Sequence, residues 1–382
     1  MAVYLDHNAS APLLPEARQA VVDALALCGN PSSVHGYGRA LRGLIDDARD
    51  RVAALAGAEA KQVVFTGSGT EALTQAIVGG VQAFRAARIV TSPAEHSAVL
   101  KAAEASGVPV SLIGVDAEGR LDVAAIEAEM DVADRNGDET LLFALHWVNG
   151  ETGVVQLRGR LEALIGPTRH VLVLDAVQGF GKLALDFASS AADMVAVSAH
   201  KIGGPAGIGA LLVKGHADTV RLVPGGGQEQ GRRGGTESAP LIAGFGAAAD
   251  AYGERMDIGH VRGLALRLEA ALKAMAPDAV IFAGQAERIG TTTNFAVPGV
   301  KNTVALMALD LAGIAVSSGS ACSSGKVARS HVLEAMGVAP GLAECGLRAS
   351  MGWTTSERDI DALVEQYSKL LERQKSRSGA AA

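Results

Sequence analysis

Short apolar runs alternate along this chain with longer segments in which apolar residues recur every three or four positions. Gln62–Thr66, Arg88–Thr91, Leu141–Val148, Val171–Asp175, Met194–Ser198 and Ala210–Val213 are nearly continuous in apolar residues. That is the pattern of strands covered on both faces. Thr70–Ala87 and His96–Ala105, between such runs, predict helices. Strands of this kind separated by helices define a mostly parallel α/β sheet. The pattern then changes. Gly263–Met275 predicts an amphipathic helix, and Val280–Ala283, Thr291–Val297 and Ile314–Ser317 predict short strands. Glu357–Arg373 predicts a final helix with Thr355 or Ser356 as its N-cap. The expected division is a large α/β domain over 14–255 and a smaller α+β domain over 256–382, with 1–13 counted in the smaller one.

Composition removes several function classes. With 34 Lys+Arg against 41 Asp+Glu, the formal net charge is −7. Nothing here neutralises phosphates in bulk, which disfavours general nucleic-acid binding. The cysteines Cys28, Cys322 and Cys345 form no CxxC pair, so neither a disulfide framework nor a cysteine-rich metal site is expected. The N-terminus lacks a basic region followed by an apolar run. No apolar run reaches the ~20 residues of a membrane span. The expectation is a soluble, cytoplasmic protein without a membrane partner.

Four segments carry chemistry. Gly67-Ser68-Gly69-Thr70-Glu71-Ala72 follows a predicted strand and opens a predicted helix, so its amide groups suit an anion. It matches G-x-G-x-x-A, but the next strand ends Val90-Thr91-Ser92-Pro93 without the acid that holds a ribose. A single phosphate fits better than a dinucleotide, and an ordinary tight turn fits equally well. Asp175 closes an apolar strand, where open α/β sheets place ligands. It is either a turn cap or the partner of a protonated heterocycle. Ser198-Ala199-His200-Lys201 closes another such strand. A desolvated lysine there has a lowered pKa and becomes a nucleophile for carbonyls, whereas most lysines are simply solvated. Together, a phosphate turn, a strand-end Asp and a strand-end Lys are the parts that hold pyridoxal phosphate: the lysine as Schiff base, the Asp on the pyridinium nitrogen.

Ser317-Ser318-Gly319-Ser320-Ala321-Cys322-Ser323-Ser324-Gly325 is too rich in Ser and Gly to pack well, and predicts a mobile arm. Cys322 therefore reads as a reactive thiol, and Cys28 and Cys345 as structural ones. Arg348, in Leu347-Arg348-Ala349-Ser350, is either a bidentate partner for a substrate carboxylate or half of a structural ion pair. His96 follows a strand and suits ring stacking or proton transfer near neutral pH, or is merely structural.

These residues resemble the cysteine desulfurases, in class V of the aminotransferases and fold type I of the pyridoxal-phosphate enzymes. The resemblance runs nearly end to end. It includes Tyr4-Leu5-Asp6, Gly29-Asn30-Pro31-Ser32-Ser33 with His35-Gly36, Phe65-Thr66 with the phosphate turn, and Glu95-His96-Ser97. It continues through Asn149-Gly150-Glu151-Thr152-Gly153, Asp175 with Gln178, Ser198 to Lys201, the glycine-rich Gly225–Thr236, the Cys322 segment and Leu347-Arg348. It implies a seven-stranded sheet in the large domain, with the thiol segment in the small one. Lys201 would hold the cofactor and then move protons. Asp175 would pair with the ring nitrogen, Gln178 would bond the ring hydroxyl side, and His96 would stack on the ring. Gly69, Thr70, Ser198 and His200 would bind the phosphate. Thr236 would reach the phosphate of a second subunit, implying a two-fold homodimer. Arg348 would bind the carboxylate of L-cysteine. Cys322 would take the substrate's sulfur as a persulfide, release alanine, and pass the sulfur to an acceptor or scaffold protein. That acceptor would serve iron–sulfur or other sulfur-containing cofactor assembly.

A thiol with the ordinary pKa of about 8.5 is only a few per cent thiolate at neutral pH. A nearby proton acceptor is therefore expected, with His96 the candidate. Many relatives carry Asn-Asn-Glu where this chain has Asn149-Gly150-Glu151, and their second Asn bonds the ring oxygen. In an extended segment neighbouring side chains face opposite ways, so Asn149 is not expected to substitute. The competing readings are a selenocysteine lyase or another class V lyase or aminotransferase, neither of which requires Cys322, and a non-catalytic paralogue, which Gly150 alone favours.

Overall fold

The computed structural model describes residues 2–137, 139–221, 223–319 and 329–379. Its twelve strands are β1 (Val3–Tyr4), β2 (Val63–Thr66), β3 (Arg88–Thr91), β4 (Val110–Leu112), β5 (Leu141–His146), β6 (Val171–Asp175), β7 (Met194–Ser198), β8 (Gly209–Val213), β9 (Val280–Ile281), β10 (Thr292–Ala296), β11 (Ile314–Ala315) and β12 (Leu347–Ser350) among the described residues. Seven of them form one sheet in the order β2-β8-β7-β6-β5-β3-β4. All its pairings are parallel except those of β8, which runs against both β2 and β7.

The apolar runs have a simple cause. Alternate residues of each central strand enter different cores. On β6, Leu172 and Leu174 face one core while Val171 and Val173 face the other; on β7, Val195 and Val197 oppose Met194 and Ala196. A strand buried on both faces has no position for a polar residue until its end, and there the chemistry begins. β4 escapes this pattern. It is an edge strand with Val110 and Leu112 exposed, so its sequence lacks a continuous apolar signature.

Two smaller sheets complete the fold. β12-β10-β9 is antiparallel, and β1 lies parallel to β11. The first strand of the chain thus pairs with one of the last. A further bridge, Asp6 to Ser350, carries the N-terminal segment across to β12. Among the described residues, no helix is long and apolar enough to cross a membrane.

The glycine-rich segment after β8 is held by a buried ion pair. Glu229 and Gln230 both adopt positive φ, a strained choice for residues with side chains. Glu229 offsets that strain by accepting from both Arg49 terminal nitrogens, at 2.6 and 2.8 Å, and from Phe65 N–H at 3.0 Å. This ties the run leading to Thr236 onto the start of the phosphate turn.

Candidate active site

The C-terminal ends of β2, β3, β5, β6 and β7 lie at one edge of the large sheet, because β2 and β7 both run against β8. Thr66 pairs with Gly209, which pairs with Ser198, so the phosphate turn and the lysine turn leave the sheet in one row. The approach is close. A β-carbon on Gly69 would stand 3.2 Å from Ser198 Cβ and from Val177 Cγ2, and one on Gly209 would stand 2.7 Å from Gly69 N. Glycine at both places lets the turn settle onto the strand ends.

Ser68 caps the helix that follows, its hydroxyl accepting from Glu71 N–H at 3.1 Å. Glu71 in turn accepts from Gly67 N–H at 2.8 Å and from Arg233 Nε at 2.7 Å. The N–H groups of Gly69 and Thr70, in the first turn, have no helical carbonyl upstream of them. With Ser198 beside Gly69, they form a cradle for an anion. The helix runs from Gly69 to Phe84 through a π-helical turn at Gln75–Gly79.

Asp175 is buried, and its Oδ1 accepts from Val177 N–H at 2.9 Å. Both readings of this residue are thus compatible: it caps its turn and also presents a desolvated carboxylate at the strand end. Lys201 leaves the end of the adjacent β7, and its Nζ donates to the carbonyls of Asn8 at 2.6 Å and Ala9 at 2.9 Å. His200 is half-buried, and burial together with the Lys201 charge lowers its pKa to about 4, so it is neutral at physiological pH. His96 is exposed and caps the helix Ser97–Ala105, its Nδ1 accepting from Ala98 N–H at 3.1 Å. Thr236 is exposed at the end of the glycine-rich run.

Behind His96, Glu95 and His146 are both buried, with His146 Nδ1 2.7 Å from Glu95 Oε1. The Leu121 N–H on Gln156 Oε1 sets that amide, so Gln156 Nε2 donates to His146 Nε2. With Nε2 accepting, the ring carries its proton at Nδ1 toward Glu95, and against burial that carboxylate holds the imidazole above its ordinary pKa. It lies in register with Asp175.

Arg348, on β12, resolves its two sequence readings by combining them. Its NH2 pairs with Asp6 at 2.8 Å and its NH1 donates to Gly150 O at 3.1 Å, while Nε is buried without a partner among the described residues. Asn8 donates through Nδ2 to Gly150 O and Thr292 Oγ1, and its Oδ1 is buried and unmatched among the described residues. Asp6 and Asn8 were not among the sequence candidates for the site. Tyr4-Leu5-Asp6 contributed to the resemblance, but nothing near residue 6 announces a partner 342 positions away.

Two further expectations change. Asn149 and Gly150 form a turn rather than an extended stretch, since Asn149 Oδ1 accepts from Glu151 N, Thr152 N and Thr152 Oγ1. Asn149 is still unable to substitute for a neighbouring asparagine, because its amide is spent on that turn. Cys28 is exposed, which removes its reading as a buried structural thiol; Cys345 is buried and donates to Gly341 O. Cys322 lies outside the described residues. The described residues on either side of its segment meet Glu151. Ser330 Oγ donates to Glu151 Oε2 at 2.5 Å, and a β-carbon on Gly319 would stand 2.1 Å from that oxygen. Burial pushes the Glu151 carboxyl up, against the Ser330 hydrogen bond and the neighbouring His331, Arg348 and His96.

The set suits pyridoxal phosphate. An amide cradle matches the phosphate, a buried carboxylate the pyridinium, and a lysine on the neighbouring strand the carbonyl. The orphaned Arg348 Nε is a donor in waiting for a carboxylate. No cluster of His, Cys, Asp and Glu among the described residues has metal-ligand geometry.

Fold and site together define a fold type I enzyme of the pyridoxal-phosphate class. The chain belongs to the class V aminotransferase family, whose model matches residues 3–363. A cysteine desulfurase of Cereibacter sphaeroides is 40% identical over 95% of this chain and 94% of its own length. A NifS-like protein of Rickettsia africae superposes with a TM-score of 0.88 at 27% identity, covering 97% of this chain and all of that one. SspA, solved in complex with cysteine, superposes with a TM-score of 0.79 at 28% identity, over 91% of this chain and 98% of its own.

Proposed function

We propose that this protein is a pyridoxal-phosphate-dependent cysteine desulfurase that converts L-cysteine to L-alanine and takes the sulfur onto Cys322. The observation that carries the reading is the meeting of the Gly69–Ser198 cradle, Asp175 and Lys201 at one sheet edge, with Arg348 beside Gly150. The 40% identical desulfurase and the cysteine complex of SspA support the choice of substrate.

When bound, the cofactor supplies an electron sink that labilises the proton on the substrate's Cα. Asp175 keeps that sink protonated. Gly69, Thr70, Ser198 and the neutral His200 hold the phosphate, with Thr236 of a second copy completing the cradle in a homodimer. Arg348 turns its unmatched Nε to the substrate carboxylate. Lys201 moves the Cα proton, and His96 receives the Cys322 proton. The Cys322 thiolate attacks the substrate sulfur: an S–S bond forms as the substrate's C–S bond breaks, and the former substrate carbon gains a proton to give alanine. Cysteine and thiol become alanine and persulfide with no external oxidant. The persulfide then serves a sulfur acceptor, for iron–sulfur or related cofactor assembly in the cytoplasm.

The test is alanine formed from L-cysteine by the protein loaded with pyridoxal phosphate. Turnover supports the reading; a yellow protein that makes no alanine from L-cysteine overturns the substrate assignment.

Gly150 sets a further expectation. A β-carbon there would make only ordinary contacts with Gln178, 3.5 Å from Cγ and 3.6 Å from Nε2. Gly150→Asn therefore fits, and adds an amide on the side Gln178 faces. It should raise cysteine turnover about two- to tenfold, the worth of one hydrogen bond. An unchanged rate in steady-state assays would show that the missing amide is immaterial.

A further inference from the structure

Lys182 is buried, and among the described residues it has no acidic partner. Its Nζ donates to Gln178 Oε1 at 3.1 Å. The titratable groups that face it are Lys201 and Arg348, both cationic, and His7, which burial keeps neutral. Burying an amine among like charges is costly, and burial with those two charges brings Lys182 down to about 7. The fold of the site explains what the cost secures.

In its charged form Lys182 carries donors only, and the Gln178 atom it then meets must be the oxygen. The far end of the same amide, Nε2, meets the carbonyl of Asn8 at 3.0 Å, an acceptor only. The Asn8 carbonyl therefore fixes the amide at one end, and the charged Lys182 holds the same orientation at the other. The Asn8 carbonyl also receives Lys201 Nζ, so the amide and the catalytic amine share an anchor. Nε2 has a second hydrogen, and the nitrogen lies 3.6 Å from where a β-carbon on Gly150 would stand.

We propose that Lys182 is a positioning residue: it holds the Gln178 amide with its NH2 toward the cofactor site, making Gln178 a hydrogen-bond donor to the ring oxygen. This rests on the pyridoxal-phosphate reading above. With glycine at 150 there is no neighbouring amide to share that duty, so the orientation of one side chain governs the ring oxygen's environment.

The experiment is a double-mutant cycle on the loaded protein, read by the pH midpoint of the visible absorption change at the Lys201 linkage. A donor on the ring oxygen stabilises its anionic form and so lowers that midpoint. Lys182→Met and Gln178→Met should each raise it by about one pH unit, the size of one charge-assisted hydrogen bond. The double variant should shift no further than the larger single shift. Lys182→Arg, which keeps a donor, should stay near the wild type. Additive shifts would show Lys182 acting as an independent charge, and no shift in Lys182→Met would show it idle; either overturns the inference. Should Lys182→Met not fold, Lys182→Arg decides: a shift as large as that of Gln178→Met overturns it. A wild type without a visible band would instead remove the functional reading, and this inference with it.

Discussion

Lys201→Ala should leave the protein colourless after loading with pyridoxal phosphate and dialysis, and should lower alanine formation on the order of 10³-fold or more. Two losses combine. The covalent anchor goes, and so does the base placed for the Cα proton. The geometry makes Lys201 hard to replace: its Nζ sits at 2.6 and 2.9 Å from two carbonyls of the N-terminal segment, at the end of the strand next to Asp175. Lys182 is the informative rival. Its buried amine, brought down to about 7, is in part neutral and nucleophilic at physiological pH. A Lys201→Ala protein that keeps the wild-type visible band would therefore place the linkage on Lys182. Visible absorption and product analysis on the same samples separate the two outcomes.

The parts of this site that could be read from sequence share one physical property: each ends a doubly buried strand. Val171–Asp175 and Met194–Ser198 are apolar until their last residue because both faces meet a core, and the first polar side chain falls where the sheet opens. The Ser68 cap and the glycines around it are local signals for the same reason. What escaped is long-range or conformational. Asp6 and Asn8 join the site through pairings such as Val3 with Ile314, which no local pattern encodes. Asn149-Gly150 looked extended, but the three hydrogen bonds accepted by Asn149 fold it into a turn. Lys182 stands four residues after Gln178, and no local pattern sets it apart from a solvated lysine; its meaning emerges only from its burial. Arg348 was read as substrate ligand or structural pair, and its fork serves Asp6 while leaving Nε unmatched.

Cys322→Ala should abolish alanine formation from L-cysteine, on the order of 10³-fold or more, while leaving the visible band of the loaded protein intact. The separation of the two readouts is the point. Asp175, Lys201 and the Gly69–Ser198 cradle bind the cofactor without any cysteine, so colour tests the sheet edge and product tests the thiol. The other cysteines offer no substitute. Cys345 is buried with its Sγ turned to Gly341 O, and Cys28 stands exposed between two helices at the start of the chain, outside the strand ends that build the site. Cys28→Ala should therefore match the wild type. Mass analysis after brief exposure to L-cysteine should find one added sulfur atom on the peptide carrying Cys322. If Cys322→Ala instead kept full alanine output with L-cysteine, sulfur would be leaving without capture on the protein. The enzyme would then be a lyase, with the same sheet edge doing the chemistry and the thiol segment serving no role in it.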